Sequence, residues 1–248
     1  MLQDIFHVHT YRCGHAENTG DEAYIKKAVE LGAASITFTD HAPFPGDPFG
    51  NRMPVSQLQE YLDTLQELKK IYRDRIHVRV GLEVEYLPGF GSYYEELAAD
   101  KRIELLMIGQ HFFETEPGAY SFSLKEQGDV EYKGCTEAMI QGIETGLFQV
   151  VAHPDRVFRR QGTWNESCSD MAETLFRCVM EHPVLLERNI SSMYQENYYR
   201  KEFWDQMPSG IRTIYGTDAH SVEQMEERYR IIRKNNNRPF AVRLQRGF

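Results

Sequence analysis

The segment DIFHVHTYRCGH, residues 4–15, begins as an apolar, β-prone run and ends in a cluster of imidazole side chains. His7 and His9 are two residues apart, so on a strand their side chains point to the same face. His15 follows shortly afterwards in the same segment. The segment therefore predicts a strand whose carboxyl end carries several potential metal ligands.

The same arrangement recurs along the chain. Further short β-prone runs are SITFTD (35–40), HVRVGLEVEY (77–86), ELLMIGQH (104–111), FQVVAHP (148–154), PVLLERNI (183–190) and IRTIYGTDAH (211–220). Longer segments with helical composition or periodicity separate them, at 20–32, 55–74, 128–146 and 169–182. Strands that alternate with helices predict parallel βα units, arranged in a barrel or in a doubly wound sheet.

The polar residues that end these runs favour the barrel. Nearly every run finishes in His, Asp or Glu, for example TDH at 39–41 and TDAH at 217–220. In a closed parallel barrel all the carboxyl ends meet on one face, whereas an open sheet spreads them along an edge. We therefore predict an α/β fold, a distorted seven-stranded (β/α)7 barrel. Because no Ser/Gly/Pro-rich linker interrupts the chain, we expect one domain over residues 1–248.

Composition excludes several classes of function. The chain has 248 residues, of which 41% are hydrophobic, and a formal net charge of -9. An acidic chain without a long basic run is a poor candidate for nucleic-acid binding. We expect neither a membrane span nor a secretory leader, because no long apolar stretch occurs and MLQDIFHVHT lacks a basic start. The four cysteines form no CxxC pair, which indicates reduced thiols and a cytoplasmic protein.

The histidines form the main functional signal. Seven of the nine histidines lie at or just after predicted strand ends, and only His77 and His182 do not. A single histidine is usually structural, but seven at one topological position favour a polynuclear metal site. Glu83 and Asp218 can supply the negative charge that clustered cations need. The seven strand-end histidines are His7, His9, His15, His41, His111, His153 and His220.

The order of the motifs resembles a known family. The segments HVHT (7–10), CGHA (13–16), FTDHAP (38–43), GLEVEYLPGF (81–90), IGQHFF (108–113), AHPD (152–155) and GTDAHS (216–221) are similar to the motif series of the PHP (polymerase and histidinol phosphatase) metallohydrolases. Within that superfamily, CGHA and GLEVEYLPGF most resemble the monofunctional histidinol-phosphate phosphatases.

The resemblance implies a distorted seven-stranded barrel of the PHP type with three divalent metal ions per chain. Zinc, iron and manganese all suit such mixed ligands. The first metal would be held by His7, His9, Glu83 and Asp218. Glu83 would bridge to a second metal, which would also be held by His111 and His153. The third metal would be held by His15, His41 and His220.

Chemistry follows from such a centre. Two cations that share a water lower its pKa to roughly 7, and the resulting hydroxide can attack phosphorus. The resemblance also assigns a catalytic role to Asp218 and His220. Arginine forks suit a phosphate dianion, and Arg156, Arg188 and Arg12 are the candidates to bind it.

The function expected from the resemblance is hydrolysis of a small phosphorylated substrate, L-histidinol phosphate, in histidine biosynthesis. The alternatives are a phosphatase or phosphodiesterase that acts on a nucleotide, another small phosphate ester or protein phosphotyrosine. A non-catalytic PHP domain is disfavoured by the complete set of nine candidate ligands. The segment 114–129 follows the fourth strand without matching the motifs, so we expect it to overhang the site and influence substrate choice.

Overall fold

The structure is a computed structural model that describes residues 4–125 and 128–235. The described strands are β1 (Asp4–Val8), β2 (Ser35–His41), β3 (His77–Val84), β4 (Leu105–Ile108), β5 (Glu114–Glu116), β6 (Ala119–Tyr120), β7 (Val150–Val151), β8 (Leu185–Asn189) and β9 (Thr213–Gly216). Seven of these coincide with the predicted runs, although β2 extends one residue past its run, to His41. The exceptions are β5 and β6, which form an antiparallel pair within the segment 114–129. Residues 126 and 127 of that segment lie outside the described residues.

The helices follow the strands in the order expected for βα units. They are α1 (Asp21–Glu30), α2 (Val55–Tyr72), α3 (Gly91–Ala99), α4 (Gly128–Glu144), α5 (Glu166–Glu181), α6 (Ile190–Met193), α7 (Lys201–Asp205) and α8 (Val222–Asn235). The apolar stripe of α2 is buried at Leu62, Leu65 and Leu68, as its spacing predicts. Asn165 begins α5, because its side chain accepts a hydrogen bond from the Cys168 amide. None of the helices within the described residues is long and apolar enough to cross a bilayer.

The seven strands other than β5 and β6 form one sheet. Their order is β1-β2-β3-β4-β7-β8-β9, and the pairs β1–β2, β4–β7 and β7–β8 are parallel. A parallel bridge between Val8 and Ala219 joins the chain after β9 to the end of β1. Seven strands in βα order, with the first and last segments bridged, confirm the prediction of a (β/α)7 barrel.

The described residues group into two compact units. The first contains the described residues of 4–82, 101–104 and 214–235. Its core includes Ile5, Phe38 and Leu65, all fully buried. The second contains residues 83–100 and 105–213. Its core includes Ile108 and Leu186. One domain over residues 1–248 stays a prediction.

Candidate metal centre

A first ligand group in the first unit consists of His7, His9 and Asp218. Their ligand atoms all lie within 4.8 Å of one another. The Nε2 atoms of His7 and His9 are 2.9 Å apart, and Asp218 Oδ1 lies 3.3 Å from His9 Nε2. All three residues are buried. Two imidazoles and a carboxylate that converge on one point form a donor set suited to zinc, iron or manganese.

Backbone geometry brings this group together. The His9 amide donates to the Ala219 carbonyl, and the Ala219 amide donates to the His7 carbonyl. His7 and Asp218 have φ angles of 67° and 48°, in the left-handed region that non-glycine residues rarely adopt. Such conformations cost energy and persist where the surrounding structure enforces them, often at functional sites. The end of β1 and the segment after β9 are therefore hydrogen-bonded to each other at the residues predicted to bind metal.

Asp40 orients His9. Its Oδ1 lies 3.5 Å from His9 Nδ1, and its Oδ2 accepts a hydrogen bond from the Thr10 hydroxyl. A carboxylate next to Nδ1 favours the tautomer that carries its proton there and leaves Nε2 as the metal-binding atom. Sequence reasoning did not assign Asp40 this role, although its position beside His41 in TDH places it at the same strand end.

A second group in the first unit consists of His15, His41 and His220. The ring centroids of His15 and His220 are 4.6 Å apart, and those of His15 and His41 are 5.3 Å apart. Nδ1 of His15 lies 3.1 Å from the Cys13 carbonyl, and Nδ1 of His220 lies 3.2 Å from the Asp218 carbonyl. Both rings therefore donate from Nδ1, which leaves Nε2 as the electron-pair donor.

The buried Nε2 atom of His220 tests whether a metal fits this group. Among the described residues it has no hydrogen-bond partner. Burial lowers the pKa of His220 to about 3, so the imidazole is neutral at physiological pH. A neutral, buried and unpartnered ring nitrogen that faces two other imidazoles is the arrangement that a metal ion would complete.

Cys13 lies beside both groups but is not suited to be a nucleophile. Its sulfur lies 3.9 Å from His15 Nε2, and it groups with His9 and His220. Burial raises the pKa of the Cys13 thiol to about 12. Because the thiolate is the reactive form, a protonated buried thiol does not support cysteine-based catalysis.

The ligand group of the second unit consists of Glu83, His111 and His153. His153 Nε2 lies 2.9 Å from Glu83 Oε1, and the ring centroids of His111 and His153 are 5.0 Å apart. Burial lowers the pKa of His153 to about 4, which keeps its imidazole neutral. His153 also has a positive φ of 31°. The three ligand atoms lie within 4.8 Å of one another, so this group also fits a metal ion.

Residues around this group hold the ligands in place. Glu85 Oε1 lies 2.9 Å from His111 Nδ1, and Glu187 Oε2 accepts from the His153 amide. Gly109 leaves the space that the Glu83 carboxylate fills, because a Cβ there would lie 2.0 Å from Glu83 Oε1. The alternation in GLEVEY predicts that Glu85 shares a strand face with Glu83. Gly109 carried no such signal.

The three predicted phosphate-binding arginines have different surroundings. All five N–H groups of Arg12 are engaged, because it donates to Asp21, to Glu60 and to the Thr10 hydroxyl. Arg12 is also only 3% exposed. A phosphate could use its donors only by displacing one of these partners. Phosphate binding by Arg12 stays a prediction.

Arg156 and Arg188 both contact neutral side chains. Arg156 donates to the Ser192 hydroxyl from Nε and Nη2, and to Asn189 Oδ1 from Nη2. Arg188 donates to the Tyr199 hydroxyl over 3.5 Å and lies over the ring of Trp204. Among the described residues no carboxylate forms an ion pair with Arg188, which favours binding of an anion there. Both arginines belong to the second unit.

The comparisons with known proteins agree with this fold. The PHP domain family matches residues 6–191. The chain therefore belongs to the PHP domain family, which confirms the resemblance drawn from its motifs.

Individual relatives are more specific. A protein of Deinococcus radiodurans named "Probable histidinol-phosphatase" is 30% identical over 160 residues, which cover 60% of this chain and 59% of that protein. The chain thus spans less than two thirds of that relative's length. A crystal structure of a candidate histidinol phosphatase of Listeria monocytogenes has a TM-score of 0.75 at 19% identity, and the match covers 92% of this chain and 99% of that one.

A second solved structure is the histidinol phosphate phosphatase of Lactococcus lactis, complexed with zinc, L-histidinol and phosphate. It has a TM-score of 0.68 at 17% identity, and the match covers 94% of this chain and 93% of that one. At these identities the two structures establish the shared fold.

Proposed function

We propose that this chain is a metal-dependent phosphomonoesterase that hydrolyses L-histidinol phosphate. The observation that carries the proposal is the grouping of the predicted ligands. The nine residues predicted from the motifs fall into three groups of three, each with ligand atoms within 4.8 Å of one another. The names of the Deinococcus and Lactococcus relatives support histidinol phosphate as the substrate.

We propose three divalent metal ions per chain, one for each group. Imidazole and carboxylate donors suit zinc, iron and manganese, and the zinc in the Lactococcus structure supports zinc among them. When bound, the ions would supply Lewis acidity that lowers the pKa of water and neutralises phosphoryl oxygens.

Arg156 and Arg188 bind and orient the phosphate in this proposal. A guanidinium offers two parallel N–H donors, which match two phosphoryl oxygens. Arg156 is steadied by hydrogen bonds to Ser192 and Asn189. Fixing the phosphate by two arginines places phosphorus for attack and lowers the entropic part of the barrier.

We assign the catalytic contributions in the first unit to Asp218 and His220. His220 Nδ1 lies 3.7 Å from Asp218 Oδ1 and 3.2 Å from the Asp218 carbonyl. This pairing fixes the plane of the imidazole and directs Nε2 away from Asp218. With side-chain exposures of 7% for Asp218 and 20% for His220, both remain reachable from solvent.

A panel of substrates tests the proposal. Purified, metal-replete protein would be assayed for phosphate release from L-histidinol phosphate, p-nitrophenyl phosphate, a nucleoside monophosphate and a phosphotyrosine peptide. We expect kcat/KM for histidinol phosphate to exceed the others by at least tenfold, about 1.4 kcal/mol of transition-state binding. A tenfold preference for the nucleotide or for phosphotyrosine would show that the substrate assignment is wrong.

Elemental analysis of tag-free protein tests the metal count independently. We expect close to three divalent ions per chain. One ion or fewer in active enzyme would contradict the assignment of a metal to each ligand group, whatever the substrate.

A further inference from the structure

The segment that follows β8 brings an aromatic ring against one of the proposed phosphate-binding arginines. Trp204 lies in α7, and the guanidinium carbon of Arg188 sits 4.3 Å from its ring centroid. Trp204 is 6% exposed, whereas Arg188 is half-buried. Tyr199 adds a hydroxyl that accepts from Arg188 Nη1, and its ring stacks near that of Trp204. The motif series does not include this segment.

Asp155 fixes the indole ring. Trp204 Nε1 donates to Asp155 Oδ2 over 2.9 Å, and the Arg200 amide donates to the same oxygen over 2.9 Å. Asp155 is fully buried and lies directly before Arg156 in the sequence. A series of contacts therefore runs from the turn that carries Arg156, through Asp155 and Trp204, to Arg188.

We propose that Trp204 is a positioning residue that holds the guanidinium of Arg188 in place for the substrate phosphate, and that Asp155 fixes Trp204 for this task. The proposal rests on the proposed function, since it assumes that Arg188 binds phosphate. It adds a role for the segment 199–205, which neither the motifs nor the ligand groups assign.

The type of contact supports this role. A cation–π contact uses the face of the guanidinium and leaves the N–H groups at its edge available for an anion. Among the described residues no carboxylate forms an ion pair with Arg188, and Tyr199 is the one hydrogen-bond acceptor found for it. Arg12 differs in this respect, because carboxylates occupy most of its donors. The face of the Arg188 guanidinium therefore packs on Trp204, and most of the N–H groups at its edge stay available for an anion.

Holding the side chain matters because a free arginine has many rotamers. Ordering it on substrate binding costs entropy, and a preformed stack removes part of that cost before the phosphate arrives. The effect should therefore appear in binding of the phosphate group, and hence in KM and in inhibition by inorganic phosphate. Because the positioned arginine binds the phosphate equally in the ground state and in the transition state, kcat should stay nearly unchanged.

The test compares Trp204→Leu, Trp204→Phe and Arg188→Ala in the metal-loaded enzyme. We expect KM for histidinol phosphate and the inhibition constant of inorganic phosphate to rise about tenfold in Trp204→Leu. In Trp204→Phe, which keeps a ring but loses the N–H to Asp155, we expect a rise of about threefold. In both variants kcat should stay within about twofold and the metal content should not change. Partial recovery by phenylalanine is the mark of a stacking contact.

Trp164→Phe is the matched control. Trp164 is the only other tryptophan of the chain, and it also lies under an arginine, with the guanidinium carbon of Arg200 5.7 Å from its ring centroid. Arg200 donates to the carbonyls of Phe158 and Gln161 and has no proposed contact with substrate. We expect the KM of Trp164→Phe for histidinol phosphate and its inhibition constant for inorganic phosphate to match those of the wild type.

The outcomes separate the two proposals. If Arg188→Ala raises KM while both Trp204 variants keep wild-type KM and phosphate inhibition, the positioning role is wrong and the phosphate role of Arg188 stands. A fall in kcat at unchanged KM in the Trp204 variants would likewise overturn it. If Arg188→Ala leaves KM unchanged, Arg188 does not bind the phosphate and both assignments fail. Should Trp204→Leu not fold, Trp204→Phe decides the question alone.

Discussion

Replacing Gly109 by alanine should disable the ligand group of the second unit without breaking the fold. An added Cβ would lie 2.0 Å from Glu83 Oε1 and 2.4 Å from its Cδ and Cγ. Gly109 has no positive φ, so its backbone accepts alanine and the effect is steric. The clash falls on a predicted metal ligand, because Glu83 lies 2.9 Å from His153 Nε2.

The size of the displacement sets the expected magnitude. Ordinary contact begins near 3.4 Å, so the carboxylate must retreat by about 1.4 Å. Carboxylate oxygens bind metals such as zinc at about 2.0–2.2 Å, and such a shift would break the bond. Replacing a residue that only orients a metal ligand typically lowers the metal affinity by about 10- to 100-fold. We expect Gly109→Ala to reach at least the upper end of that range.

Metal titration by calorimetry and elemental analysis would measure the effect, with urea unfolding of the metal-free protein as a separate measure of stability. Overpacking alone should cost about 1–3 kcal/mol of the free energy of unfolding. Gly142→Ala is the matched control, because its Cβ would meet Ile108 Cδ1 at 2.8 Å and no predicted ligand. In Gly91→Ala the added Cβ meets no atom within 4 Å, so neither the metal affinity nor the free energy of unfolding should fall. A Gly109→Ala protein that binds metal with wild-type affinity would refute the reasoning.

Two further predictions concern the first unit. His9→Ala should lose metal and activity together, whereas His77→Ala, at an exposed residue at the start of β3, should lose neither. Elemental analysis measures the metal content and initial rates measure the activity. Retained metal in His9→Ala would contradict the role of His9 as a ligand. Arg12→Ala should lower the free energy of unfolding by about 3–5 kcal/mol, because it leaves the buried Asp21 carboxylate without its counter-ion. Urea unfolding measures this loss. Lys26→Ala, in an exposed ion pair, should lower the free energy of unfolding far less, and an equal loss in both variants would disprove the argument.

The sequence by itself predicted the seven strands of the main sheet, the helices α1, α2, α4 and α5, and the candidate ligands. Hydrophobic periodicity predicts an element from residues that are neighbours in the chain, so β1 and α2 could be recognised from their own segments. The positions of His153 and Asp218 after apolar runs placed them at strand ends, since parallel strands carry functional residues there. Each of these inferences needs only a local pattern and the rule that βα units run parallel.

The tertiary structure decided what each polar side chain contacts. The sequence makes Arg12 a candidate phosphate ligand, and only folding brings Glu60, 48 residues away, to accept its hydrogen bonds. Gly109 matters because Glu83 fills the space beside it, and Arg188 is held by a ring 16 residues further along the chain. A local pattern records which face of a strand a side chain occupies, but not which distant residue meets it. Partners that the chain brings together only by folding are therefore absent from the sequence pattern. These partners occupy the donors of Arg12 and leave most of the donors of Arg188 without an acceptor among the described residues.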